Sequence, residues 1–246
     1  MKFRTLLSVA DLKQDEPRYY LLGIALLILA LFYPILEFQD MGLVIWTFVF
    51  WGMLLTATYC TSYKTFIKKV TRLLGFLVIL LGISGLICYQ FLGDSHGWVF
   101  TSINTLTLFF LIFITSSLLY GILSSSNIGI NNLIGAASAY VLIGITFAYG
   151  YIVLHSVTGA TPLHSEIPLL FSNDDTLASL VANYCYFSFA TLTTLGFGDF
   201  APLTLAARVL TCTEAITGQL FLTILIARLV GLHVVRASQH ASKNIT

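Results

Sequence analysis

TLTTLGFGDF, Thr191 to Phe200, lies between two strongly apolar segments and places three threonines and two glycines within eight residues. The segment before it, from about Leu177 to Thr193, is uncharged and aromatic-rich. It is too short to cross a bilayer and return, so it predicts a re-entrant helix, with Asn173, Asp174 or Asp175 available as an N-terminal cap. The segment after it starts near Leu203 and stays apolar to about Val235. Non-helical backbone at membrane depth is tolerated only where protein encloses it or it lines water. Taken as an extended strand along an axis, Thr194-Leu195-Gly196-Phe197-Gly198 can turn all its carbonyls to one side if left- and right-handed backbone angles alternate. Such angles strain any residue with a Cβ, and glycine removes the strain. Gly196 and Gly198, two apart, sit where the alternation needs them. Leu195 and Phe197 are then expected to face away from the axis and wedge against surrounding helices, while the Thr194 hydroxyl adds a further oxygen.

A column of backbone oxygens is a ligand set for a bare monovalent cation, and four copies around an axis replace its hydration shell. One chain supplies one strand, which implies a homotetramer.

The rest of the chain suits that setting. Of its 246 residues 57% are hydrophobic and 9% charged, too little polar surface to cover a water-soluble globule. Apolar stretches of span length occur at Tyr19 to Leu36, Met41 to Tyr63, Leu73 to Gly93 and Val99 to Leu123. No Asp, Glu, Lys or Arg occurs from Gly97 to Ser165, and SSSNIGINN, Ser124 to Asn132, is the one good break within it. The expectation is an all-α integral membrane fold of six transmembrane helices. The re-entrant pore helix and its loop then fall between helices five and six. The domains expected are an N-terminus over 1–18, a four-helix block over 19–123, a pore domain over 133–235 and a tail over 236–246. The first span is longer than a secretory h-region and no small-residue cleavage pattern follows it, so it reads as a retained helix.

Eleven of the twelve basic residues fall on one side of such a six-span chain, with only Arg208 on the other. The excess of Lys and Arg puts both termini in the cytoplasm of a cell-membrane, multi-pass protein. Seven acids, among them Asp94, Glu166 and Asp199, then face outside. The fourth span carries no basic residue, so no arginine ladder for voltage sensing is present. Cys60, Cys88, Cys185 and Cys212 have no CxxC spacing and read as buried thiols. His155 and His164 read as loop residues rather than a metal site.

Thr193-Thr194-Leu195-Gly196-Phe197-Gly198-Asp199 resembles the potassium-channel signature TTVGYGD, with Leu for Val and Phe for Tyr. Pro202, Arg208 at the start of the inner helix and Gly218 at the family's hinge position extend the likeness over about residues 133 to 235. The resemblance does not extend to the first four helices, which stay unassigned. The resemblance implies a passive, potassium-selective channel, not an enzyme, with Thr194, Leu195, Gly196, Phe197 and Gly198 coordinating K+. It implies no cofactor beyond the permeant ion, no nucleic-acid partner, and no soluble regulatory domain in the chain. Phe197 lacks the phenolic hydroxyl that commonly braces the filter. Ala190 stands where some relatives place a glutamate that pairs with the aspartate after the filter, so Asp199 needs another partner, and Tyr186 is the candidate. Thr193 completes the filter support.

Glu214 is the one acid inside a span and a functional candidate on that ground. Two readings stand open: a structural brace behind the filter, or a proton or ion site. Gly218, one turn on, costs about 1 kcal/mol relative to Ala in mid-helix, which a hinge or a close helix contact would offset. Alternatives for the whole chain are a weakly selective cation channel and a proton-coupled transporter using Glu214. The transporter reading calls for an internal repeat, and none is visible.

Overall fold

The computed structural model describes residues 18–32, 39–60, 65–92, 97–124, 130–159, 161–165 and 177–243. These form seven helices: α1 Arg18–Leu31, α2 Gln39–Cys60, α3 Thr65–Leu92, α4 Gly97–Ser124, α5 Ile130–Thr158, α6 Leu177–Leu192 and α7 Leu205–Lys243. The capping candidates Asn173, Asp174 and Asp175 lie outside the described residues. Three helical stretches, Trp98–Ser124, Ile130–Thr158 and Leu205–Arg228, are long and apolar enough to cross a membrane, and shorter apolar stretches run over Tyr19–Leu31 and Val44–Cys60.

The described residues bear out an all-α fold, to which one short ribbon is added. Leu163–Ser165 (β1) pairs antiparallel with Phe200–Pro202 (β2), in the register Leu163 with Pro202 and Ser165 with Phe200. Pro202 sits at the end of an edge strand, a place where its missing N–H costs no ladder bond. A second difference is that α7 stays helical to Lys243, through the segment read as a tail.

One apolar core joins α1, α2, α4 and α5 through fully buried Leu22, Leu54, Leu111, Ile114 and Leu142. A second, smaller cluster sits where the chain turns back after α6: Tyr151, Ile152, Leu163, Tyr184, Phe187 and Phe200. It clamps the ribbon between α5 and α6, and so fixes both ends of the loop from Thr193 to Asp199. Helix α2 also touches α6 directly, which brings the first helical block against the short helix.

Candidate functional site: the loop after the short helix

At 16 residues, α6 is roughly 24 Å long at 1.5 Å per residue, short of the ~30 Å hydrocarbon thickness. Its last four carbonyls all find partners, as a buried helix end requires. Phe189 O accepts from Thr193 N at 3.0 Å, Ala190 O from Leu195 N at 2.8 Å and Gly196 N at 3.3 Å, and Thr191 O from Thr194 N at 3.0 Å. Leu192 O accepts from Tyr140 Oη of α5 at 3.0 Å. The amides of Thr193 to Gly196 are thereby turned back onto the helix that precedes them. Among the described residues, the carbonyls of Thr194 to Gly198 accept no hydrogen bond.

Backbone angles explain how the loop does this. Thr194, Gly196 and Gly198 have φ of 57°, 52° and 83°, whereas Leu195 and Phe197 between them do not have positive φ. The alternation assigned to two glycines thus begins two residues before the first of them, at a residue with a Cβ. A left-handed angle there costs roughly 1–2 kcal/mol. Thr194 is held by its amide bond to Thr191 O and by its hydroxyl, which donates to Thr193 O at 2.7 Å.

Leu195 and Phe197 are 56% and 68% exposed in the single chain. Leu195 borders an apolar cavity of about 330 Å³ between α1, α2, α5 and the back of α6, with Trp46, Phe50 and Phe189 in its wall.

The far end of the loop is pinned by side chains. Tyr186 Oη donates to Asp199 Oδ2 at 2.7 Å, and Asp199 Oδ1 accepts from Phe200 N at 3.1 Å. The Tyr186 and Phe200 rings meet edge-on at 5.7 Å. Thr193 Oγ1 donates to Phe189 O at 2.7 Å. Beyond β2, Thr204 Oγ1 accepts from Ala207 N at 3.1 Å and caps α7, and Arg208 Nε donates to Pro202 O at 3.3 Å. His155 does not stand free in a loop: its Nδ1 is 3.0 Å from Tyr184 Oη.

Glu214 and Gly218 both face α6. Glu214 is fully buried, accepts from Tyr151 Oη of α5 at 2.8 Å, and is hydrogen-bonded through Oε1 to Ser188 of α6. At Gly218 a Cβ would meet Leu192 O at 2.7 Å, so glycine lets α7 cross the C-terminal end of α6 in contact with its backbone. That close approach accounts for a helix-interior glycine. Tyr140, Tyr151 and Ser188 were not singled out in the sequence. The signal was present in the 11-residue separation of the two tyrosines, about three helical turns, which puts both on one face of α5.

Residues 150–233 match a family model described as ion channel, Ion_trans_2. The match covers about a third of the chain. It runs from the last part of α5 through the ribbon, α6 and the loop into α7, and so includes parts of two of the three helical stretches that are long and apolar enough to cross a membrane. The four helices before it lie outside the match. No curated protein and no solved structure matches the chain.

Proposed function

We propose that the chain is one subunit of a homotetrameric potassium channel of the cell membrane, in which the carbonyls of Thr194, Leu195, Gly196, Phe197 and Gly198 strip and replace the water around K+. In this reading α1 to α5 and α7 are six spans, α6 is a re-entrant pore helix, and both termini are cytoplasmic. At 39 residues, α7 is roughly 58 Å long, enough to cross the bilayer and continue beyond it.

The observation that carries the reading is the sign pattern of φ at Thr194, Gly196 and Gly198. A turn that merely reversed the chain would need one or two such residues together. Positive φ at every second residue, with the amides of Thr193 to Gly196 tied back to α6, instead leaves a run of carbonyls that accept no hydrogen bond among the described residues. Polar backbone in that state is unstable against hydrocarbon, and four copies around one axis remove the conflict by giving the oxygens a cation. The exposed Leu195 and Phe197 then pack against neighbouring copies. Tyr186 and Asp199 hold the outer end of the strand, Thr193 the inner end, and Glu214 braces the pore helix between α5 and α7. Gly218 is the candidate hinge.

Purified protein in liposomes tests this. Passive K+ efflux that saturates electrically rather than chemically, is blocked by Ba2+ and reverses near the K+ equilibrium potential in K+/Na+ gradients is the expected result. Equal passage of Na+ and K+ would establish the weakly selective alternative, and absence of flux from intact tetramers would reject the channel.

A further inference from the structure

Five polar contacts run in a row through α5, α6 and α7, with a backbone carbonyl at each end. Ser188 Oγ lies 2.7 Å from Gly144 O and contacts Glu214 Oε1; Tyr151 Oη lies 2.8 Å from Glu214 Oε2 and 3.1 Å from Thr211 Oγ1; Thr211 Oγ1 lies 2.8 Å from Ala207 O. Each contact needs one hydrogen to be a bond rather than two oxygens pressed together. A carbonyl supplies none, and each hydroxyl supplies one. Ser188, Tyr151 and Thr211 therefore provide three hydrogens for the five contacts, and an ionised Glu214 adds nothing.

Ser188 shows where the shortage falls. Its single hydrogen cannot serve Gly144 O and Glu214 Oε1 together, yet it sits within bonding distance of both. We infer that Glu214 is a carboxylic acid whose O–H donates to Ser188 Oγ, so that a permanently held proton pins the pore helix to α7. Every short contact then has its hydrogen. Thr211 donates to Ala207 O, Tyr151 to Glu214 Oε2, Glu214 Oε1 to Ser188, and Ser188 to Gly144 O. The one contact left without a hydrogen is Tyr151 to Thr211, at 3.1 Å the longest of the measured four.

The surroundings agree. Glu214, Ser188 and Tyr151 are all fully buried, and among the described residues no Lys, Arg or His contacts the carboxyl. An ionised carboxylate there would lack a counter-charge, at a heavy desolvation cost. The titratable groups nearby include Tyr151 on α5, Tyr184 of α6 stacked on it with centroids 6.4 Å apart, and Cys212 on α7, none of which is a cation; His155 of α5 bonds to the Tyr184 hydroxyl and not to the carboxyl. A buried acid kept neutral in order to donate a hydrogen bond is established chemistry. The assignment holds whichever ion the protein passes.

Infrared spectroscopy of the full chain in lipid nanodiscs, with its glutamates carboxyl-labelled by 13C, reads the state directly. The chain has only four glutamates: Glu16, Glu37, Glu166 and Glu214. At neutral pH an isotope-sensitive C=O stretch of a protonated carboxyl is expected in the parent and absent from Glu214→Gln. A Gln amide can donate to Ser188 and accept from Tyr151 as the acid does, so E214Q is expected to keep the thermal stability that E214A loses. Should E214Q not assemble, Ser188→Ala, which removes the acceptor, must shift the same stretch to higher frequency. A spectrum holding only carboxylate bands at neutral pH, or a protonated band indifferent to both substitutions, overturns the assignment. Neither outcome depends on ion flux, so it fails or stands apart from the proposed conduction.

Discussion

Helices α5 and α7 are both long and apolar and flank the same short helix, yet 50% of the most apolar window of α5 is buried within the chain against 11% for α7. The outer of the two is wrapped by α1, α4 and α6. The inner one meets α5, α6 and β2 on one side, while Val209, Ile216, Leu220 and Ile224, at successive spacings of seven, four and four residues along one side of the helix, are all more than half exposed. The same asymmetry appears at atomic scale in the loop, where the amides of Thr193 to Gly196 are spent on α6 while, among the described residues, the carbonyls of Thr194 to Gly198 accept no hydrogen bond. A single chain therefore covers α5 and leaves exposed the side that carries α7 and the loop. That is what a subunit built around a shared axis requires.

The largest effect should come from the loop itself. Gly196→Ala or Gly198→Ala puts a Cβ at φ of 52° or 83°. At about 1–2 kcal/mol per residue, repeated in four copies, K+ efflux should fall by well over ~10-fold, since 1.4 kcal/mol is already tenfold. Native electrophoresis should still show the full assembly. Efflux at the parent rate from either variant would break the link between backbone sign and conduction.

The helix comparison can be sharpened with a matched pair. Ile216 on α7 and Ile112 on α4 are 59% and 46% exposed in one chain. If copies cover α7 and lipid covers α4, Ile216→Trp should dissociate most of the tetramer and Ile112→Trp should leave it whole. Equal tolerance of both would mean lipid covers α7 too. Tyr186→Phe removes a hydrogen bond to an ionised group, worth about 1.5–3 kcal/mol. It should lower K+ over Na+ selectivity severalfold in bi-ionic recordings with subunit assembly intact, and unchanged selectivity would leave Asp199 without a role in holding the filter.

The smallest effect is expected where the two regions meet. Arg228 of α7 donates through Nη1 to Ile122 O in the last turn of α4, placing a cation at a helix C-terminus. Arg228→Gln should lower thermal stability by about 1 kcal/mol, read as a Tm shift of a few degrees. A variant as stable as the parent would show that α4 does not hold the lower half of α7.

Much of this was legible in the sequence because hydrophobic length and glycine chemistry are local. The run from Leu177 predicted a short helix ending at the threonines, and α6 ends at Leu192. The two glycines predicted positive φ at positions two apart. Thr194 escaped because counting residues without a Cβ cannot find a strained residue held by its own hydrogen bonds. The ribbon escaped because three-residue strands show no period, and its pairing depends on Leu163 and Phe200 sharing a cluster 37 residues apart in sequence. The hydrogen-bonded row through Glu214 is a tertiary fact: Ser188, Tyr151 and Thr211 are unremarkable residues until three helices bring their oxygens together.

The most direct measurement is the anomalous scattering of crystals grown with thallium or rubidium in place of potassium. The account expects a single file of ion peaks on a fourfold axis, ringed by the carbonyls of Thr194 to Gly198 from four chains. A chain arranged without that axis, or an axis with the five carbonyls turned from it and no ions between them, would contradict it.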